Sequence, residues 1–315
     1  MDSVHQINSY ICLVSGITLN SLLIWLIWKK TNGGVRRYSF ILLQGCIVDL
    51  IYLILASIVQ PVILINGGDV LFSQFGIFRY FSRSVNCITI YIWIYAFNFT
   101  KFSPLIQFYY RYLVICRERQ VSWTNLLPSL LLIILLPFIV AALCSLANDD
   151  TPESFQQIED IFHASQNNYS VALFFPQRSN ILLWAACAII VFDFIVYKLV
   201  IWLAYKIWCT LRISLNQITT ESRSQVLNKQ INFALLVQVF VPVIVSSIPV
   251  IYLAHSAITK SGVVTICQLM TIPLHWIPVL NPISTILIIK QYSSSLKCCR
   301  KDNQRVFNST SRATA

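Results

Sequence analysis

Several groups of the kind that do chemistry stand where water is scarce in this chain. Asn20, Asp49, Lys101, Asp193, Lys198, His275 and Asn281 are each embedded in a run of apolar residues. An amide or an ionised group costs several kcal/mol in hydrocarbon unless it is paired, on the order of 2–7 for a polar group, so such residues are by default contacts between helices or functional sites. Lys198 lies near the end of its run and can extend its ammonium to the interface. Lys101 and Asp193 fall at similar depths in the third and fifth runs, which admits an ion pair, with Asp49 a rival partner for the lysine. Catalytic spacing is missing: there is no H-E-x-x-H, no Walker loop, no G-x-S-x-G and no paired carboxylates at helical spacing. The ten cysteines show no C-x-x-C pattern, so neither a metal site nor an enzyme is expected.

The elements that carry these groups follow from composition. Of 315 residues, 57% are hydrophobic and 11% charged, with mean hydropathy +0.68; a soluble domain is nearer about 25% charged. The net charge of +11 is spread in short patches between apolar runs rather than along one face, which excludes a nucleic-acid surface. Apolar runs occupy about 7–28, 38–65, 84–115, 126–147, 180–205, 231–254 and 263–289, each long enough to cross a bilayer core of about 30 Å. The expectation is an all-α fold: a seven-transmembrane helix bundle over 1–292, a short amphipathic segment after the seventh helix, and a basic tail over 293–315.

Charge sets the expected orientation. Lys29, Lys30, Arg36 and Arg37 follow the first run, Arg111, Arg117 and Arg119 the third, and Lys206, Arg212, Arg223 and Lys229 the fifth, with six more basic residues after the seventh. The opposite side holds only Arg79, Arg83, Arg178 and Lys260, with Asp and Glu in excess. The positive-inside rule then places the amino terminus outside and the tail in the cytoplasm. Met1–Gln6 carries no Lys or Arg, so no cleaved signal peptide is expected. Asn168-Tyr169-Ser170 is a glycosylation sequon on the outer side. Cys298 and Cys299, among basic neighbours past the last run, suit palmitoylation and so a membrane-lipid anchor.

On the third run, a period of 3.6 residues puts Trp93 and Thr100 on the face of Arg111, with Phe97 close to it. Trp93 and Phe97, with His275 and its neighbour Trp276 in the seventh run, are the candidate ligand-binding residues; the same aromatics fit a packed core equally well. Proline recurs within the runs, as Pro242 and Pro249 in the sixth and Pro273, Pro278 and Pro282 in the seventh, so these helices are built to bend.

Taken together, the residues resemble a family. Asn20, Asp49, Arg111 with Tyr110 and Tyr112, and Asn281-Pro282 are similar to the marks of rhodopsin-like G-protein-coupled receptors. The stretches RYSFILLQGCIVDLIYLILASIVQP, IQFYYRYLVIC and PVLNPISTILIIKQY look closer to nematode serpentine chemoreceptors of the Str superfamily, with class delta the nearest. The resemblance implies a receptor in the plasma membrane, of sensory cilia in particular. It would bind an odorant-like or pheromone-like small molecule, or a peptide, and would act through a heterotrimeric G protein. Asn20, Asp49, Tyr110, Arg111, Tyr112, Asn281 and Pro282 would then form the switch.

The chain departs from the rhodopsin-like pattern at several places. Tyr110 stands where an acid would precede the arginine, and the seventh run reads Asn281-Pro282-Ile283-Ser284-Thr285. The resemblance would make Cys87 half of an outer disulfide, but residues 148–179 contain no cysteine, which leaves Cys144 as the partner to expect. No lysine sits midway in the seventh run, so neither retinal nor any other cofactor is expected. A seven-span transporter or channel is the alternative class; insect-type odorant channels have the opposite orientation, and no internal repeat of the kind transporters show is visible.

Overall fold

The computed structural model describes residues 2–30, 36–66, 68–117, 123–149, 151, 170–176, 180–216, 223–261 and 263–295. Apolar runs with no water to bond must satisfy their backbone internally, and here they do so as helices. These are α1 (Asp2–Lys30), α2 (Arg36–Val59), α3 (Arg83–Phe102), α4 (Pro104–Cys116), α5 (Trp123–Ala147), α6 (Asn180–Asn216), α7 (Arg223–Thr259), α8 (Val264–Thr271) and α9 (Ile277–Ile288). Six stretches among the described residues are long and apolar enough to cross a membrane: Ser3–Lys29, Ser39–Val59, Leu126–Ala147, Cys187–Ile213, Asn228–Pro249 and Ile266–Ile288.

The expected third span is two helices. Pro104 has no N–H to give the carbonyl of Thr100, so α3 stops at Phe102 and α4 starts with the proline in its first turn. Ser103 between them keeps helical angles (φ −55°, ψ −33°), so the chain runs on without turning back. The last span is also composite: α8, a 3-10 turn at Ile272–Trp276, and α9, with Pro273 and Pro278 at the starts of the latter two. The fifth and sixth runs make longer helices than expected, α6 and α7 each having 37 residues. Helix resumes at residues 290–295 after Ile289 takes an extended conformation (φ −79°, ψ 101°).

A small sheet corrects the all-α expectation. α2 ends at Val59, short of the expected 65, because Gln60 adopts the left-handed conformation (φ 48°) ahead of Pro61, which disfavours helix in the residue before it. The β-branched run that follows becomes β1 (Pro61–Asn66), and Gly68 (φ 102°) turns it into β2 (Asp69–Gln74), pairing antiparallel from Pro61↔Gln74 to Asn66↔Asp69. β3 (Ser170–Phe175) pairs with the other edge of β2. The sheet is tied to the bundle where α5 ends: Asp149 N donates to Phe174 O at 2.9 Å, and Phe174 N to Asn148 Oδ1 at 2.9 Å.

Two large apolar clusters fill the bundle. One, which includes Tyr52, Trp93, Ile94 and Val140, lies under Leu173 and Phe175 of the sheet. The other joins Leu26, Ile41, Phe102, Phe108, Val200, Ile207, Leu235 and Ile286. Outward, Ile190, Phe194, Ile201, Ile244 and Ile248 are exposed, the inversion expected where the solvent is lipid.

The carbonyls at the end of α2 have no partner within their own helix, and the chain leaving β2 supplies one: Gly76 N donates to Val59 O at 3.1 Å. This approach leaves no room for a side chain, since a Cβ on Gly76 would lie 1.8 Å from Ile58 O and 2.6 Å from Val59 O. Because both are backbone atoms, Gly76→Ala should destabilise the fold by about 1–3 kcal/mol, read as a lower thermal midpoint of purified receptor.

Candidate functional site

Helix α9 needs outside help with its hydrogen bonds, and polar residues singled out in the sequence provide part of it. Pro282 has no N–H, so the carbonyl of Pro278, four residues earlier, loses its helical donor. Asn20 Nδ2 on α1 donates to that carbonyl at 3.1 Å and to Gly16 O at 2.9 Å. One residue before Pro282, Asn281 Nδ2 lies 3.0 and 3.1 Å from the two carboxylate oxygens of Asp49 on α2. Gln238 of α7, not foreseen, donates to Thr285 Oγ1 at 2.7 Å, and Thr285 Oγ1 donates to Asn281 O at 3.0 Å. Amides, hydroxyl and carboxylate thus tie α1, α2 and α7 to the bend of α9. The signal for Gln238 was the same as for Asn20, an uncharged polar residue inside an apolar run.

The ion pair expected between the third and fifth runs is present: Lys101 Nζ lies 2.7 Å from Asp193 Oδ2. The lysine's ammonium also stands 5.5 Å from the ring centre of Phe97 and 5.7 Å from that of Phe102. Asp49, the rival partner, is taken by Asn281 instead.

Arg111 is completely buried in α4, and Trp93 and Thr100 are buried too, as a shared inward face requires. One Arg111 NH2 group donates to the carbonyl of Asn228, in the second turn of α7, at 2.9 Å. Tyr109, Tyr110 and Tyr112 pack half-buried against the same apolar cluster. The arginine therefore joins α4 to the start of α7.

The four aromatic candidates fall into two groups. Trp93 stacks on Phe97 (5.6 Å between ring centres, 17° between planes), and Tyr52 of α2 meets Phe97 at 6.1 Å. His275 and Trp276 face α1 instead. The rings of His5 and His275 lie edge-on at 5.1 Å, and Trp276 Nε1 donates to Asn8 Oδ1 at 3.0 Å. Trp276 packs against the cluster of Cys12, Leu53 and Val279, and Tyr52, next to Leu53 in α2, belongs to the other cluster, so α2 contributes to both groups. Hydrogen positions around the histidines follow from their partners. Thr271 Oγ1 spends its proton on Gln268 O at 2.7 Å, so it accepts from Nε2 of His5 at 3.4 Å; His275 Nδ1 donates to Thr271 O at 3.4 Å. His5 was missed because it sits ahead of the first apolar run, and Asn8 because it stands at the run's very start, where a polar residue can still reach water.

The expected disulfide is not formed. Cys87 and Cys144 are not bridged; both pack against the same cluster under the sheet, and Cys87 Sγ donates to the carbonyl of Ala172 in β3 at 2.8 Å. A strand carbonyl occupies the place where a bridging cysteine would be needed. Asn168, Cys298 and Cys299 lie outside the described residues. Among the described residues no cluster of His, Cys, Asp and Glu could hold a metal.

Two outcomes test this network. Replacing Asn20 by Leu leaves the Pro278 carbonyl without a donor in a dry bundle, and should cost about 1–3 kcal/mol in an unfolding assay. In a double-mutant cycle, Lys101→Met and Asp193→Leu should each destabilise more than the two together, because either alone strands a charge, at about 3–5 kcal/mol for a fully buried pair and less here where Asp193 is partly exposed.

The chain is 23% identical over 316 residues to serpentine receptor class delta-3 of Caenorhabditis elegans, covering 94% of this chain and 87% of that protein. Its fold is similar to the crystal structure of squid rhodopsin, with a TM-score of 0.61 over 95% of this chain and 87% of the other at 11% identity. Residues 5–298 match the family described as serpentine type 7TM GPCR chemoreceptor Srd, and over that length the protein belongs to this family of multi-pass chemosensory receptors.

Proposed function

We propose that this chemoreceptor lies in the plasma membrane of sensory cilia with its amino terminus and sheet outside. It binds a small extracellular molecule in the half of the bundle nearest the sheet and activates a heterotrimeric G protein at the opposite end. Membership of a receptor family favours this reading over a transporter. The observation that carries it is the buried Arg111 held to the Asn228 carbonyl, because it makes the third and sixth spans a latch at the end expected to be cytoplasmic.

A molecule bound against Trp93 and Phe97, or against His275 and Trp276, reaches that latch through packed helices. Ligand shifts the receptor only by its difference in affinity for the latched and unlatched forms. In the unlatched form α7 swings on its own prolines, Pro242 and Pro249, and the guanidinium is released from Asn228 to meet the G protein. The hydrogen bonds at Pro278 and Asn281 hold α9 in the latched form.

The test is Arg111→Ala in cells carrying a G-protein reporter, with an epitope tag at the amino terminus. The tag should stain on intact cells for mutant and wild type alike. Signalling should be abolished while ligand affinity stays within about tenfold, a coupling of about 1.4 kcal/mol. Staining only after permeabilisation would overturn the orientation, and normal signalling would reduce Arg111 to a structural anchor.

A further inference from the structure

A cleft opens beside the sheet between the first turns of α1 and the junction of α2 with the returning β2 strand. Gln6, Tyr10, Ser57, Gln60, Phe75, Gly76, Ile77, Arg79 and Tyr80 line it, and its volume is about 170 Å³. Drug-sized sites run to roughly 300–1,000 Å³, so this one takes a single polar head rather than a peptide.

Its chemistry is unequal. Arg79 is the sole cation in the lining, and no Asp or Glu stands among the lining residues. Its guanidinium lies over the Tyr80 ring at 4.5 Å and donates to the Tyr80 hydroxyl, which leaves donors of its fork for an anion. Gln60 is 2% exposed, and its Oε1 accepts from no described residue, so the cleft also has an acceptor without a donor. Ser57 Oγ has spent its proton on Leu53 O at 2.8 Å and can only accept. The surroundings have the composition of a membrane interface. Tyr10, Ile77, Tyr80 and Phe81 are exposed aromatic and apolar side chains about the mouth, and Ile7, Ile11 and Val14 form an exposed apolar stripe down α1 from it.

We propose that this cleft binds one membrane phospholipid whose head carries both a phosphate and an N–H donor. The phosphate bonds Arg79, the ammonium of a phosphatidylethanolamine donates to Gln60 Oε1, and an acyl chain lies along Ile7, Ile11 and Val14. Phosphatidylcholine offers the same phosphate but has no N–H, so Gln60 discriminates between the two. The assignment does not depend on which side of the membrane the sheet occupies, nor on the signalling role of Arg111.

The test counts lipids retained by full-length receptor, purified from membranes holding both phospholipids, by native mass spectrometry. Wild type should keep one phosphatidylethanolamine in preference to phosphatidylcholine by about fivefold, the worth of one hydrogen bond. Arg79→Gln, on a half-exposed side chain, should lose retention of both. Gln60→Asn suits the left-handed backbone at that position, since Asn is enriched there, and draws the amide back by one methylene. It should keep phospholipid while losing the preference. Equal retention of the two lipids by wild type, unchanged retention in Arg79→Gln, or a surviving preference in Gln60→Asn would each overturn the proposal. Release of the lipid by soluble phosphoethanolamine would assign the cleft to a free head group and overturn it as well.

Discussion

A lipid interior offers no hydrogen bonds, and in this receptor that constraint bears hardest on the carbonyl of Pro278, whose helical donor Pro282 lacks. The proline inside α9 creates an acceptor that must be met from elsewhere. Asn20 meets it across the interface with α1, and Asn281, beside the same proline, reaches Asp49 on α2. A defect in one helix thereby fixes the positions of two others. The extension to α7 through Gln238 and Thr285 brings in the helix expected to move.

The third span is the axis on which the remaining polar contacts are strung. Its break at Ser103 leaves the helical phase nearly intact, so Trp93, Thr100 and Arg111 stay on one buried face across two formally separate helices. Along that line the contacts change partner. Trp93 meets the cluster beneath the sheet, Lys101 pairs with α6, and Arg111 reaches the start of α7. Trp93 toward one end and Arg111 toward the other therefore share one buried face of the same pair of helices.

The sheet does for this bundle what a bridging disulfide would do. β3 is buried and hydrogen-bonded to the end of α5, and it takes the Cys87 thiol as a donor, which binds the connection between α5 and α6 to the top of α3 without a covalent link. The hairpin of β1 and β2 returns the chain to the end of α2, where Gly76 closes the helix and opens the polar cleft beside it. Sealing the bundle and shaping its mouth are the same act of chain geometry.

The residues themselves determined much of this protein. Seven apolar runs and the prolines within them were legible because hydrophobic length and a missing N–H are properties of one segment. The polar residues at Asn20, Asp49, Lys101, Asp193 and Asn281 were legible as contacts between helices because a lone polar group in hydrocarbon demands a partner whatever the fold, whereas Arg111 stood out through the family resemblance. The strands were not: Pro61–Asn66 is as apolar as the helix before it, and only the pairing with β2 makes it a strand, although Asn66-Gly67-Gly68-Asp69 had the composition of a hairpin turn. Nor could spacing reveal that His275 would face His5 while Trp93 faced Tyr52, or that Cys87 would find a strand carbonyl in place of Cys144. Which groups must be satisfied is decided by chemistry local to each segment; which group satisfies them depends on how the helices pack, and that only the tertiary structure decides.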